Sequence, residues 1–277
     1  MKVKVWGCRG SLPAPGPENI SYGGNTSCLE IRDGDTLLVL DAGSGIQRLG
    51  RFLDKKVKVI HILLTHLHID HTMGLGFFAP LYNPDVEVHL YGPSSSSESL
   101  LNRIRKYFSA PLFPVRLADL PNHPVIHELD QSEFEIGPFR IKSEFICHPG
   151  PTLGYRIQHG ANVLAYMPDH ELQLGSANFP LDPEWTSGFE IAVKADLLFH
   201  DGAYSFSQYE QKVGWGHSAV RDTIQFAQLC QVKKLSIFHH EPTNTDEQLD
   251  EILRRNVEGK TFGFEIEMCK EGSVYEF

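Results

Sequence analysis

Cysteine is scarce: Cys8, Cys28, Cys147, Cys230 and Cys269 are odd in number, widely spaced and without a CxxC pair. That pattern excludes a disulfide scaffold and implies the reduced, mostly inert thiols of an intracellular chain. No run of 18 apolar residues is present, so no membrane span is expected. The opening Met1–Trp6 alternates as a strand does and lacks the apolar block of a signal peptide. The expected compartment is the cytoplasm. Positive charge is in deficit, with 25 Lys+Arg against 35 Asp+Glu and a net of −10. This weighs against a broadly basic nucleic-acid binder, because phosphate neutralisation supplies most non-specific affinity. No fixed-period repeat, low-complexity segment beyond Ser94–Ser97 or shift in composition marks a boundary. One domain over residues 1–277 is expected, with an insert at about 77–129. The apolar share, 41%, supports a large core.

Short apolar runs separated by turn residues make up most of the chain. Lys2–Trp6, Cys28–Ile31, Leu37–Leu40, Val57–Leu64 and Glu87–Tyr91 read as strands, as do Phe139–Ile146, Gly154–Ile157, Val163–Met167, Asp196–His200 and Leu235–Phe238. Arg32-Asp33-Gly34-Asp35 is a hairpin signal. Gly45–Leu53, Ser97–Phe108, Val220–Leu229 and Asp246–Asn256 have helical spacing. Ala110–Pro124 contains four prolines and reads as a loop, and Leu172–Phe189 as an irregular one. Two β-rich stretches with interspersed helices predict an α/β fold of two packed sheets covered by helices.

The abundant residue is histidine, 14 in all. Thr65-His66-Leu67-His68-Ile69-Asp70-His71 concentrates three imidazoles and a carboxylate directly after an apolar strand. Extended backbone alternates sides, so His66 and His68 can point the same way, while Asp70 and His71 follow where the chain turns. Imidazole with carboxylate suits zinc, and also iron or manganese.

Here the sequence resembles the metallo-β-lactamase fold superfamily, whose hallmark is HxHxDH. The resemblance implies a four-layer αββα sandwich of two mixed sheets flanked by helices. It also implies two divalent cations, one held by His66, His68 and His148 and one by Asp70, His71 and His239, with Asp169 bridging. His148, Asp169 and His239 each follow a predicted strand. Read singly, His148 is equally a surface histidine near a Pro-Gly turn, Asp169 a turn or cap residue, and His239 has a rival in His240. Asp41 resembles the family aspartate that orients a ligating histidine, and is otherwise a strand-end turn residue. His200-Asp201-Gly202-Ala203 and Trp215-Gly216-His217-Ser218 resemble the HEAT and HST segments of the tRNase Z and phosphodiesterase branch. This makes His217 a phosphate contact or general acid and Asp201 its orienting carboxylate, although tRNase Z has Glu there, one methylene longer. Catalytic roles thus fall to Asp70, His217 and Asp201. The loops Gly7–Ser11 and Ser21–Ser27 are either phosphate-facing N–H donors or simple turns. His61, His89, His123, His127, His159 and His170 have no motif support and are read as surface or core histidines.

The resemblance implies hydrolysis by a metal-bridged hydroxide without an organic cofactor. A small phosphodiester, such as a cyclic nucleotide, is the expected substrate. The alternatives are tRNA 3′ processing, a glyoxalase-type thioester hydrolase and a regulatory member keeping only the fold. The acidic charge and the lack of a glycine- and lysine-rich arm argue against tRNA. No membrane partner is expected, and a homodimer is left open. β-Lactamase activity is not expected, since no secretion signal is present and the ligand set lacks that family's cysteine.

Overall fold

Alternating strands must cover one face and continuous apolar strands two, and this requirement arranges the chain in layers. The structure is a computed structural model that describes residues 1–172 and 182–277. The first half forms β1 (Lys2–Gly7), β2 (Cys28–Asp33), β3 (Thr36–Leu40), α1 (Gly45–Phe52), β4 (Val59–Leu63), α2 (Ile69–Thr72), β5 (Glu87–Pro93), α3 (Leu100–Tyr107) and β6 (Val125–Leu129). The second half forms β7 (Ser132–Ile136), β8 (Phe139–Phe145), β9 (Leu153–His159), β10 (Asn162–Met167), α4 (Phe189–Ala192), β11 (Leu197–Asp201), α5 (Phe206–Tyr209), α6 (Val220–Leu229), β12 (Lys234–Phe238), α7 (Asp246–Val257), β13 (Glu265–Met268) and β14 (Val274–Glu276). One sheet runs β14-β1-β2-β3-β4-β5-β6 and the other β13-β12-β11-β10-β9-β8-β7. In each sheet three antiparallel pairings give way to three parallel ones.

The inward faces meet through Val3, Ile31, Leu40, Ile141, Tyr155, Phe199 and their neighbours. The outer face of the first sheet is covered by α1 and α3, and that of the second by α4, α6 and α7. This is the expected αββα sandwich. Each such side chain removed from water contributes about 1.5–3 kcal/mol. Exposed pairs such as Lys2–Glu276 contribute about 0–1 kcal/mol each, so the layers, not the surface charges, hold the fold.

The hairpin turns as expected, with Asp33 opposite Thr36 and Gly34 at φ +54°, a left-handed step that glycine takes without strain. The segment 77–129, read as an insert, supplies β5, α3 and β6, and β5 and β6 are integral strands of the first sheet. Of the expected loop 172–189, residues 173–181 lie outside the described residues. The remainder contains a short 3-10 turn, Pro183–Trp185, and the start of α4. Among the described residues no helix is long and apolar enough to cross a membrane.

Candidate metal centre

The carboxyl ends of β4, β10, β11 and β12 open on one edge of the sandwich, where ligands gather in α/β sheets. Beyond β4 the chain continues extended through His66 and His68, and then turns helical in α2, which carries Asp70 and His71. Thr72 Oγ1 donates to the His68 carbonyl at 3.0 Å and secures that turn. His148 follows β8, Asp169 follows β10, Asp201 ends β11, His239 follows β12, and His217 precedes α6.

Three donor sets result: His66, His68, His148 and Asp169 in one, Asp70, His71, Asp169 and His239 in a second, and Asp201, His217 and His239 in a third. Within each set the donor atoms lie within 4.8 Å of one another. Asp169 is common to the first two. Its carboxylate oxygens stand 2.8 Å from His71 Nε2, 3.2 Å from His239 Nε2, 3.7 Å from His66 Nε2 and 3.8 Å from His148 Nε2. Asp70 Oδ2 lies 3.1 Å from His239 Nε2 and 3.3 Å from His71 Nε2. The rival His240 points elsewhere, its Nε2 donating to the Cys269 carbonyl at 2.8 Å.

The surroundings aim these rings. His71 Nδ1 donates to Asp41 Oδ2 at 2.8 Å, which turns Nε2 toward the cluster. Asp41 itself accepts from the Thr65 backbone N–H and from the Tyr166 hydroxyl, a contact that crosses between the sheets. His148 Nδ1 donates to the Gly216 carbonyl at 2.8 Å, which turns its Nε2 toward His68 Nδ1, 3.2 Å away. His217 Nδ1 donates to Asp201 Oδ2 at 2.7 Å, so the shorter carboxylate reaches its partner. Asp201 also accepts from the N–H groups of His170, Ala203 and Ser218. His217 Nδ1 is 3.9 Å from Asp169, placing the ring at the edge of the donor sets.

Burial and charge divide the histidines. Burial pushes His66 well below its ordinary value and His148 down to about 4, keeping both neutral as ligands must be. Burial acts the same way on His71 and His239, but it is outweighed. Asp169, Asp70 and Asp41 raise His71, and Asp169, Asp70 and Asp201 lift His239 to about 9. Burial would raise the carboxyls of Asp70 and Asp169, yet the facing imidazoles hold both far below the carboxylate range.

His66 Nε2, His71 Nε2 and Asp169 Oδ1 are buried without a hydrogen-bond partner. His71 Nε2 and Asp169 Oδ1 face each other at short range and still make no hydrogen bond. An unsatisfied buried polar atom costs about 1–3 kcal/mol, and a divalent cation between these atoms would satisfy them together. The imidazole and carboxylate donors therefore fit the cations that the fold implies.

Further contributors surround the expected ligands. Glu171 accepts from the N–H groups of Gly214 and Gly216 and from the Tyr209 hydroxyl, anchoring the loop that carries His217. Its only sequence signal was its nearness to Asp169. His170, read as a surface or core histidine, is buried and pairs with the equally buried His200 at 2.9 Å. Gly10 packs so close to His239 that a Cβ there would fall 2.3 Å from the ring. In the same loop the Ser11 N–H, read as a phosphate donor or a turn, donates to Asp70 at 2.7 Å. His61, His89 and His127 form a stacked row across β4, β5 and β6, away from the centre.

The family model described as "Beta-lactamase superfamily domain" matches residues 36–240. Ribonuclease Z of Thermococcus gammatolerans is 25% identical over 256 residues, covering 78% of each chain. The crystal structure of the metallo-β-lactamase fold protein YhfI from Bacillus subtilis superposes with a TM-score of 0.73 at 21% identity, covering 99% of both chains. Human tRNase Z, short form, gives 0.66 at 20% identity, covering 100% of this chain and 99% of that one. The ribonuclease Z relative overturns the argument from acidic charge against tRNA. The physical reason is that net charge sums over the whole surface, whereas a substrate meets a local site to which bound cations add charge that residue counts omit.

Proposed function

The chain belongs to the metallo-β-lactamase superfamily and is a metal-dependent hydrolase, and from that premise we propose that it cleaves phosphodiester bonds in RNA, with tRNA precursors as the first substrate class to test. The observation that carries the reading is the His217–Asp201 pair, set beside two donor sets that share Asp169. Amide or thioester hydrolysis needs the cations but has no evident use for that pair.

His66, His68 and His148 would hold one divalent cation and Asp70, His71 and His239 the other, zinc being the best match to the donors. Cations there supply Lewis acidity toward a phosphoryl oxygen and activate water near neutral pH. The protein's own part is positional and protonic. Asp41 and the Gly216 carbonyl aim His71 and His148. Asp201 fixes the His217 ring through Nδ1. His217 Nε2 is then the atom that donates a proton to the leaving alkoxide.

The test is turnover by zinc-reconstituted protein on a tRNA precursor, an unstructured oligoribonucleotide, bis-nitrophenyl phosphate and a thioester. RNA cleavage is the expected result, and the relative rates on the two RNAs tell whether tRNA structure is read. Thioester hydrolysis without cleavage of any phosphodiester would overturn the reading.

A further inference from the structure

Two residues before His217, and so within roughly 7 Å of chain, stands Trp215, a residue that is 61% exposed. Phe52, Phe77 and Trp185 are exposed to a similar degree, and Trp215 is the one of these four whose chain leads directly into His217. Its backbone is firmly held. The Trp215 N–H donates to the Lys212 carbonyl at 3.0 Å, and Glu171 takes the N–H groups on both sides, Gly214 and Gly216. Lys212, paired with Glu241 at 2.9 Å, lies 5.7 Å from the indole centroid. The exposed ring thus sits on a braced loop that runs straight into His217.

The chemistry of an open aromatic face says what such a ring would do. Stacking on an aromatic face is the contribution to nucleic-acid affinity that does not depend on positive charge, and it tolerates any base. We infer that Trp215 is a stacking platform for the nucleobase flanking the reacting phosphate, so that the site takes nucleotides in preference to base-free phosphate esters. The inference rests on the phosphodiesterase reading for the position of the phosphate.

Binding tests it independently of turnover. Adenosine 5′-monophosphate and ribose 5-phosphate are titrated by calorimetry into zinc-loaded wild type, Trp215→Ala and Trp215→Tyr, with circular dichroism confirming folding. The nucleotide is expected to bind roughly 10- to 100-fold more tightly than the sugar phosphate in wild type. That preference should collapse toward unity in Trp215→Ala and return in Trp215→Tyr. It should also persist at high salt, where a phosphate-driven preference fades. Equal affinities in wild type, a preference that survives Trp215→Ala, or affinity for both ligands lost together in that variant would overturn the inference, the last by showing that the side chain holds the loop. Failure of RNA cleavage with the preference intact would strike the phosphodiesterase reading alone.

Discussion

At His217 one ring nitrogen is committed and the other is free. Nδ1 donates to Asp201, a carboxylate fully buried at the end of β11 and saturated by three further N–H donors. The ring therefore has one orientation, and Nε2 is the nitrogen left for a substrate. His217→Ala is expected to lower kcat by roughly 10²–10⁴ on RNA, the range for losing a general acid, while metal content stays that of wild type. The loss should be smaller on bis-nitrophenyl phosphate, because nitrophenolate departs without a proton. Equal losses on both substrates would show that His217 binds rather than protonates. At this scale the sequence was most legible where spacing carries geometry, as in His66–His71. It was least legible where a contact is made by backbone, as at Ser11, or by a residue such as Glu171 whose partners are N–H groups on a distant loop.

At the scale of elements, the loop between α5 and α6 does the positioning, and Gly216 is its pivot. Its φ is +89°, and a Cβ would fall 2.3 Å from His148 Nδ1 and 2.2 Å from Pro149 Cδ. Gly216→Ala must therefore displace His148, break its bond to the Gly216 carbonyl, or both. One cation per chain is expected to be lost or bound far more weakly, with the loss confined to the set containing His148, and far-ultraviolet circular dichroism should remain that of wild type. Elemental analysis after dialysis reads the outcome, and unchanged stoichiometry with unchanged turnover would refute this role for the glycine. Strands and helices with strong periodicity were legible to within a few residues. β6 and β7 were not, because Val125–Leu129 and Ser132–Ile136 are short, carry His, Glu and Ser, and are mostly half-buried or exposed. Their pairing with β5 and β8 overrides a weak local pattern, and so a segment that looks like an insert contributes strands to a sheet.

Over the whole molecule, the centre is a junction between the two sheets. The first sheet leads into His66, His68, Asp70 and His71, and the second into His148, Asp169 and His239. Beneath them the sheets are already tied by Leu153 N–H to the Thr65 carbonyl at 2.8 Å and by the Tyr155 hydroxyl to the Leu64 carbonyl at 2.7 Å. Cations held by both halves would bind the folded chain and not the unfolded one, so they must stabilise it by mass action. At a free metal concentration 100 times Kd that amounts to about 2.7 kcal/mol per site. With an unfolding entropy of about 2.1 cal/mol/K per residue, 1 kcal/mol moves Tm by about 1.7 °C in a chain of 277 residues, so chelating both sites should lower Tm by about 9 °C. The transition should stay cooperative, because the apolar layers between and outside the sheets do not depend on metal. Scanning calorimetry in zinc and in excess chelator measures the shift. Asp169→Ala removes the carboxylate common to the first two donor sets, so its zinc-dependent shift should be much smaller than that of wild type. If chelation strips two metals per chain and Tm does not move, the cations do not link the sheets. If Asp169→Ala retains the full shift, Asp169 is not the group that joins the two sets.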